Sequence, residues 1–401
     1  MSVITIEGET RGSLAITRSL GMRDIDVTVG SYMKHCTSFF SKYCKNKIIY
    51  SRPEINCSEF IKVMLDIVKR GKYDVIYPIT EFTTIPLSYY KNKFSPYINV
   101  PIPSYEMMIK AHDKSQTIKI AIENDIPCPK TYFVKNVKEV KSISKNIEFP
   151  VVIKPRCKTS WLDDKAILTK VTPRNYANSP EELISRYSVV HNATEFPLIQ
   201  EYIPGTGYGV EVLCNQGDPR AVFMHKRLRE YPVEGGVSTL RESVSDKRME
   251  KIALKILKVL NWHGVAMVEF KVDERDKRPK LIEINGRFWG SLNLAIASGV
   301  DFPYLLHTMV MEGDVKPVFS YKLGVKGRWL LPGDFLYLFS ALSHAPRKLH
   351  ILREFLKFRD MTYDISSFND PLPTLGALNV TFQQAKDVLT GKREISGEIK
   401  K

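Results

Sequence analysis

Three oxygen-bearing side chains and one guanidinium are spaced so that together they could bind a hard cation beside an anion. Glu269 lies in one strand-like run, and Glu283 and Asn285 lie in the next. Side chains two residues apart in a strand share a face, so Glu283, Asn285 and then Arg287 point the same way. Such groups among Val, Met, Leu and Ile residues are costly to bury unless a cation neutralises them. The pattern predicts a Mg²⁺ site at Glu269, Glu283 and Asn285, with Arg287 holding a phosphoryl group.

The surrounding elements favour a buried site over an exposed hairpin with ordinary surface charges. The runs Val265–Val272 and Lys280–Asn285 predict a hairpin because a polar turn joins them. The segment Phe288-Trp-Gly-Ser and an apolar helix follow directly, and a long amphipathic helix, Ser245–Leu260, precedes the hairpin. Earlier strands with few helices between them are typical of antiparallel sheet. These strands are Phe149–Lys154, Ala166–Val171, Leu198–Tyr202, Tyr208–Asn215 and Pro219–His225.

The first hundred residues alternate β-rich runs with amphipathic segments, which predicts a small doubly wound domain with a parallel sheet. Its clearest helix is Glu59–Arg70, and a second unit begins near Pro101 with a helix over Ile109–Asn124. The strands of the first unit are assigned to Val3–Ile6, Ile25–Val29, Ile48–Tyr50 and Asp74–Pro78. The predicted fold class is therefore α/β in the first unit and α+β in the second.

Two features of the first unit are candidates for contacting a substrate. The turn at residues 8–13 opens a helix, so its backbone N–H groups could hold an anion. It lacks the G-x-G-x-x-G pattern, which favours a substrate carboxylate over a dinucleotide. Near the strand ends lie Met33, His35, Thr80 and Glu81, which could contribute to a substrate pocket.

Composition narrows the class of protein. Lys and Arg outnumber Asp and Glu by 59 to 44, which favours anionic partners. The first residues lack an export signal, and no window has the roughly 18 apolar residues of a bilayer-spanning helix. The six cysteines are scattered, with no zinc-ligand spacing, so free thiols in a reducing compartment are expected. We expect a cytoplasmic protein with no membrane partner.

The stretch Met267–Phe270 followed by Leu281–Arg287 resembles the paired metal-ligand strands of the ATP-grasp family, as in biotin carboxylase, D-alanine ligase and carbamoyl-phosphate synthetase. The resemblance covers roughly residues 105–305 and rests on the whole set of motifs in the family's order. It implies that Glu269, Glu283 and Asn285 hold one or two Mg²⁺ ions, with Mn²⁺ as an alternative, against the phosphates of ATP. Arg287 would steady the transferring group.

Further matches lie upstream in the order of that family. Lys114, after Asp113, looks like its first nucleotide-binding lysine, and Lys154 like the second, which reaches the α- and β-phosphates. The segment 198–205 looks like the adenine-binding connection. By resemblance, the backbone of Tyr202 and Ile203 would hold adenine, with Glu201 beside the exocyclic amine.

This chain departs from the family pattern at two places. Residues 155–164, after Lys154, contain no glycine, although the family usually has a glycine-rich lid there. The carboxylate that grips the ribose has no sure counterpart; in its region only Glu211 has suitable chemistry.

A basic segment between the adenine strand and the hairpin supplies further candidates. The family resemblance implies that one of Lys226, Arg227 and Arg229 contacts the γ-phosphate or the acyl group; the alternative is a solvated basic strand. Alternation would send Lys226 one way and both arginines the other. Gly235 and Gly236 would let the chain approach the substrate closely. The segment also resembles an ATP-grasp branch labelled carboxylate–amine ligase.

The resemblance implies an N-terminal domain at 1–104, an ATP-grasp domain at 105–318 and a helical C-terminal extension at 319–401 with a frayed tail. The implied function is an ATP-dependent ligase that forms C–N bonds from a small carboxylic acid and an amine through an acyl phosphate. A homodimer is left open. One alternative is an enzyme forming carboxyphosphate or carbamoyl phosphate from bicarbonate. The other is a non-enzymatic nucleotide sensor or nucleic-acid-binding protein, which has no support beyond charge.

Overall fold

The computed structural model describes residues 1–232, 236–344 and 348–390. The close approach expected at Gly235 and the frayed tail expected after residue 390 lie outside these residues. Three sheets and a separate hairpin build the fold, and all six cysteines are free.

The N-terminal unit is a parallel sheet flanked by helices, as predicted. Its strand order, β3-β2-β1-β4, is that of a doubly wound sheet, and every pair is parallel. Helix α2 buries Phe60, Met64 and Val68 at the spacing of one helical face. The elements are β1 Ser2–Thr5, α1 Arg11–Gly21, β2 Asp26–Ser31, β3 Cys44–Ile49, α2 Cys57–Arg70, β4 Val75–Tyr77, α3 Glu81–Tyr89 and α4 Lys91–Phe94.

The helix predicted over 109–124 is two helices that meet at Asp113. The carboxylate of Asp113 accepts hydrogen bonds from the backbone N–H and hydroxyl of Ser115 and so caps the second helix. The predicted single helix was wrong because an Asp that caps its own chain competes with helix continuation. The two helices are α5 Tyr105–His112 and α6 Lys114–Glu123.

A small antiparallel sheet and a hairpin follow. The sheet has the order β5-β10-β6-β9, and β7 and β8 form a separate two-stranded sheet. The elements are β5 Thr131–Phe133, α7 Val137–Ile143, β6 Val151–Lys154, β7 Thr159–Leu162, β8 Lys165–Leu168, β9 Tyr176–Ala177, α8 Pro180–Ala193 and β10 Leu198–Glu201.

A seven-stranded sheet carries the predicted metal hairpin. Its order is β15-β14-β11-β12-β13-β16-β17, antiparallel except for the last pair. One face packs on α9 and the other on α10 and α11. The elements are β11 Gly205–Asn215, β12 Asp218–Tyr231, β13 Val237–Ser243, α9 Lys247–Val259, β14 Gly264–Asp273, β15 Pro279–Asn285, α10 Leu292–Ser298 and α11 Phe302–Glu312.

The C-terminal segment adds two strands and three helices to this framework. Two buried ion pairs tie it to α1, Arg11 with Asp364 and Arg18 with Asp370, so the segment packs between the N-terminal unit and the large sheet. The elements are β16 Lys326–Arg328, α12 Phe335–His344, α13 Lys348–Phe355, β17 Met361–Tyr363 and α14 Pro373–Leu389.

Across the described residues, no single helix has both the length and the apolar composition to cross a membrane. Helices α10 and α11 reach that length and composition only as a pair, and the pair is bent by 85°.

Candidate active site

The predicted metal ligands meet on the β14–β15 hairpin. Glu269 lies directly opposite Glu283, and Asn285 lies opposite Met267. The Asn285 side-chain amide donates to Glu269 Oε1 at 3.0 Å and to Glu283 Oε1 at 3.3 Å. The structure therefore brings both carboxylates and the amide together on one face of the sheet.

Cationic side chains from two other elements hold these carboxylates. Lys114 Nζ lies 2.9 Å from Glu283 Oε2, and Arg227 Nη2 lies 2.5 Å from Glu269 Oε2. Burial would raise the pKa of Glu283, but Lys114, with Lys158 and Lys154 nearby, brings it well below its usual range. Glu283 therefore stays ionised at neutral pH, as a metal ligand must.

Arg287 links the hairpin to the N-terminal unit. Its Nη2 donates to Asn285 Oδ1 at 2.9 Å and lies 2.8 Å from Glu81 Oε1. Burial would raise the pKa of Glu81, but Arg287 and Lys158 bring it far below its ordinary value. Glu81 begins α3, so the turn after β4 supplies a residue to this site.

Lys154 ends strand β6 of the small sheet and faces the cleft between this sheet and the β14–β15 hairpin. Its Nζ donates to Gln200 Oε1 at 2.6 Å, and Gln200 in turn donates to Thr131 Oγ1 at 3.0 Å. Burial, and then the charge of Lys114, lowers the pKa of Lys154 to about 8. A phosphate bound beside Lys154 would stabilise its charged form and so raise its pKa again.

The donor set fits a hard divalent cation that also binds phosphates. No cluster of three or more His, Cys, Asp or Glu side chains suited to a metal occurs among the residues that the structure describes. The site instead has two carboxylates and the Asn285 amide. Mg²⁺ is usually held by one or two carboxylates, with substrate phosphates and water completing its shell. Glu269, Glu283 and Asn285 would hold such an ion here.

The predicted adenine-binding segment adjoins the large sheet. Lys271 Nζ donates to the carbonyl oxygen of Ile203 at 3.1 Å and lies over the Tyr202 ring. The Glu201 carboxylate turns outward, accepting from the backbone N–H of Lys130 and pairing with Arg275. The backbone N–H of Tyr202 donates to the carbonyl oxygen of Pro150 at 3.1 Å, and the Glu201 side chain is already paired elsewhere. The adenine-binding role of Tyr202 and Ile203 stays a prediction.

Glu211 is fully buried rather than open to a ribose. Its Oε1 lies 2.6 Å from Nδ1 of His225, which is also buried. Gly209 makes room for this pair, because a Cβ there would lie 2.6 Å from the His225 ring and 2.8 Å from Glu211 Oε1. The contact with His225 separates Glu211 from the role expected at the ribose.

The three basic candidates on β12 do not share one face. Only Arg227 contacts a predicted metal ligand. Lys226 pairs in register with Tyr208 and so points to the opposite face. Arg229 was expected beside Arg227, but a bulge after Arg227 reverses the alternation, and Arg229 pairs with Asp334 instead. Lys226 and Arg229 therefore do not join Arg227 at the carboxylates.

The glycine-free segment 155–164 contains the first strand of the β7–β8 hairpin. The hairpin docks on the start of α2, where Asp164 Oδ1 accepts from the backbone N–H of Ser58 at 2.7 Å and from its hydroxyl at 2.8 Å. Its base is held by Arg156, which pairs with Asp113. From this segment, Lys158 lines the cavity beside the candidate metal site.

A small cavity of about 20 Å³, partly open to solvent, lies between the hairpin and the N-terminal unit. His112 also lines the cavity. Its Nε2 donates a hydrogen bond to the backbone carbonyl oxygen of Thr159, in β7, at 2.7 Å. The other lining groups include residues of the candidate metal site. They are Glu81, Lys114, Lys158, Glu283, Asn285 and Arg287.

Sequence reasoning missed three residues of this site or left them without a role. Lys271 could have been found, because alternation from Glu269 places it on the same face. Gln200 was overlooked beside Glu201, although it is the buried residue of the two. Glu81 was named only as a possible contributor, because its contact with Arg287 joins positions 206 residues apart.

The fold and this cleft define the class of protein. The chain has the ATP-grasp fold, in which a small and a large antiparallel sheet converge on one cleft. Within it, residues 194–330 match the family model described as "ATP-grasp in the biosynthetic pathway with Ter operon". Among solved structures, this chain superposes on a biotin carboxylase–β,γ-ATP complex from Campylobacter jejuni with a TM-score of 0.64. The two chains are 17% identical, and the match covers 81% of this chain and 74% of that one.

Two curated relatives match parts of the chain. The carbamoyl phosphate synthase large chain of Pyrococcus furiosus is 25% identical over 229 residues, 55% of this chain and 20% of the relative. The D-aspartate ligase of Enterococcus faecium is 26% identical over 217 residues, half of each chain. The matched part thus spans half or less of the length of either relative.

Proposed function

We propose that this protein is an ATP-dependent ligase that activates a carboxylic acid as an acyl phosphate and couples it to an amine. One observation carries the proposal: Glu269, Glu283 and Asn285 converge on one face, with Lys114, Arg227 and Arg287 contacting them. The two carboxylates can bind the metal ion, and the surrounding cationic side chains can neutralise the negative charge of the triphosphate.

In the first step, a carboxylate oxygen of the acid attacks the γ-phosphorus of ATP. The bond to the β,γ-bridging oxygen breaks, and ADP leaves with that electron pair. A bound Mg²⁺ would supply Lewis-acid charge neutralisation at the phosphate oxygens. Lys154 and Lys114 would hold phosphate oxygens, and Arg287 would orient the transferring group, so that catalysis is mainly positioning.

In the second step, the amine nitrogen attacks the carbonyl carbon of the acyl phosphate. The bond to the phosphate oxygen breaks, inorganic phosphate leaves, and the nitrogen loses a proton. We expect the β7–β8 hairpin, which packs against α2, to protect the acyl phosphate from water. The name of the D-aspartate ligase, a relative that matches half of this chain, supports this chemistry.

The direct test measures ADP release from ATP and Mg²⁺ with a panel of small carboxylic acids, each with and without an amine panel. The proposal expects ADP release that depends on one acid, and a C–N product when the matching amine is added. ADP release with none of the acids, together with salt-sensitive nucleic-acid binding, would instead favour a non-enzymatic protein.

A second candidate reaction forms carboxyphosphate or carbamoyl phosphate from bicarbonate. The match to a protein named carbamoyl phosphate synthase large chain favours it, although that match covers a fifth of the relative. Bicarbonate in the same panel separates the two candidates, because only the second expects ADP release with bicarbonate alone.

A further inference from the structure

A second cavity, separate from the cleft, lies between the large sheet and the C-terminal helices. Its volume is about 290 Å³, and it is partly open to solvent. Strands β12, β13, β16 and β17 form its floor, and α12 and α13 form its wall. The lining residues that matter here are Leu228, Arg229, Lys326, Arg328, His350 and Ile351.

The cavity is on the far face of the sheet from the candidate metal site. Arg227 lies opposite Arg241, whereas Arg229 lies opposite Leu240 after the bulge. Leu240 and Arg241 are neighbours in a strand and so point to opposite faces. Arg227 reaches Glu269 on the first face, while Arg229 and Leu240 line the cavity on the second.

Two guanidinium groups in this cavity share one carboxylate. Arg229 Nη1 lies 2.8 Å and Arg328 Nε lies 2.7 Å from the same oxygen, Oδ2 of fully buried Asp334. The other donors of Arg328 bind the carbonyl oxygens of Phe355 and Lys357. Carbonyl groups do not cancel a charge, so the buried part of the cavity keeps an excess of positive charge.

The rim adds further positive charge. Lys326 is exposed at the rim, where its cross-strand neighbour on β13 is Glu242. Lys357 is paired with the single carboxylate of the lining, that of Glu354, at 2.5 Å. The apolar side chains of Leu228, Leu240, Ile351 and Met361 complete the lining.

The geometry points to this cavity as a binding site for a small anion with an apolar part, such as a medium-chain carboxylate. Its volume is at the lower end of the usual range of small-molecule pockets, about 300–1,000 Å³. The anion would contact Lys326 at the rim, in the positive field of Arg229 and Arg328, whose guanidinium groups are held by Asp334 and by carbonyl oxygens. The apolar part would lie against Leu240 and Ile351. Because the cavity is on the far face, its ligand is distinct from the acid that the proposed ligase would activate.

Titration calorimetry with three probes of equal chain length tests this inference on the full chain. Hexanoate, hexylamine and hexan-1-ol differ only in the head group. Hexanoate is expected to bind one site at least about tenfold more tightly than the other two, a difference of about 1.4 kcal/mol. Equal binding of the three probes, or no binding of hexanoate at millimolar concentration, would overturn the inference.

Two charge reversals locate the site. Lys326→Glu is expected to weaken hexanoate binding by roughly tenfold or more, because it puts a negative charge on the rim. Lys322→Glu is the matched control, since Lys322 is also exposed, precedes β16 and does not line the cavity. Hexanoate binding that survives Lys326→Glu, or that falls equally in both variants, would rule out this cavity.

Discussion

Nζ of Lys114 lies 2.9 Å from Oε2 of Glu283, so the first residue of α6 contacts the hairpin strand β15. Burial would lower the pKa of Lys114, but Glu283 raises it above its ordinary value. Both groups are therefore charged at neutral pH. The capping of α6 by Asp113 fixes where Lys114 emerges, so the break between α5 and α6 serves the site directly.

Glu283→Gln is expected to reduce metal-dependent ADP release by roughly 100-fold or more, because it removes a charge that would bind the cation. The substitution keeps the volume of the side chain, so the circular dichroism spectrum should not change. Glu312→Gln is the control, since Glu312 is an exposed glutamate at the end of α11. Unchanged metal-dependent turnover in Glu283→Gln would count against the site.

Arg227→Gln and Lys226→Gln form a matched pair on adjacent positions of β12. Arg227→Gln is expected to lower kcat/KM by roughly 10- to 100-fold, because a charge-assisted hydrogen bond contributes about 1.5–3 kcal/mol. Lys226→Gln should leave kcat/KM within about twofold, because Lys226 points to the other face. Steady-state ADP release measures both, and the reverse order would show that the face assignment is wrong.

The affinity for Mg–ATP should fall as the pH rises through about 8, where Lys154 loses its proton in the free protein. Phosphate binding favours charged Lys154, so binding above this pH should take up a proton. Calorimetry between pH 6.5 and 9.5 in buffers of different ionisation enthalpy measures both effects. Lys154→Arg should flatten the profile, because arginine stays charged; an equally steep fall in that variant would assign the titration to another group.

The same pKa shift predicts how stability varies with pH. The folded-state pKa of Lys154, about 8, is below the ordinary value of 10.5, so the unfolded chain binds more protons between these values. The contribution of Lys154 to the free energy of unfolding should therefore increase as the pH rises from about 8 to 10.5. Urea unfolding of the wild type and of Lys154→Met measures it, and the difference between them should change in this window.

Asp364→Asn is expected to destabilise the protein by about 3–5 kcal/mol, because it leaves buried guanidinium groups without their counter-charge. Asp364 pairs with both Arg11 and Arg241, and its side chain is fully buried. The urea midpoint measures the loss. Asp26→Asn should change the free energy of unfolding by less than about 0.5 kcal/mol, since Asp26 is 61% exposed and lies 3.9 Å from its partner Lys45. Equal midpoints for the two variants would show that the Asp364 pairs are not needed for stability.

Features that depend on neighbouring residues could be predicted from the sequence. The hairpin followed from two alternating runs and a polar turn, and alternation placed Glu283 and Asn285 on one face. The parallel N-terminal sheet and the fold class are confirmed. The helix over 109–124 failed because Asp113 caps α6, an effect that depends on the local hydrogen bonds of one side chain.

The partners of the site residues could not be predicted in the same way. Arg227 and Arg229 point to opposite faces because a bulge lies between them, and strict strand alternation does not predict a bulge. Glu211 was expected at the ribose, yet its carboxylate contacts His225 on the neighbouring strand. The spacing of residues along one strand does not determine either outcome.

The sequence by itself determined the strand periodicity, the order of the motifs and the types of groups that could bind a metal–triphosphate complex. Only the tertiary structure decided which cation meets which carboxylate: Lys114 with Glu283, Arg227 with Glu269 and Arg287 with Glu81. The physical reason is range. Backbone alternation acts over a few residues, whereas these ion pairs depend on how separate sheets and helices pack, and that packing reflects burial summed over the whole chain.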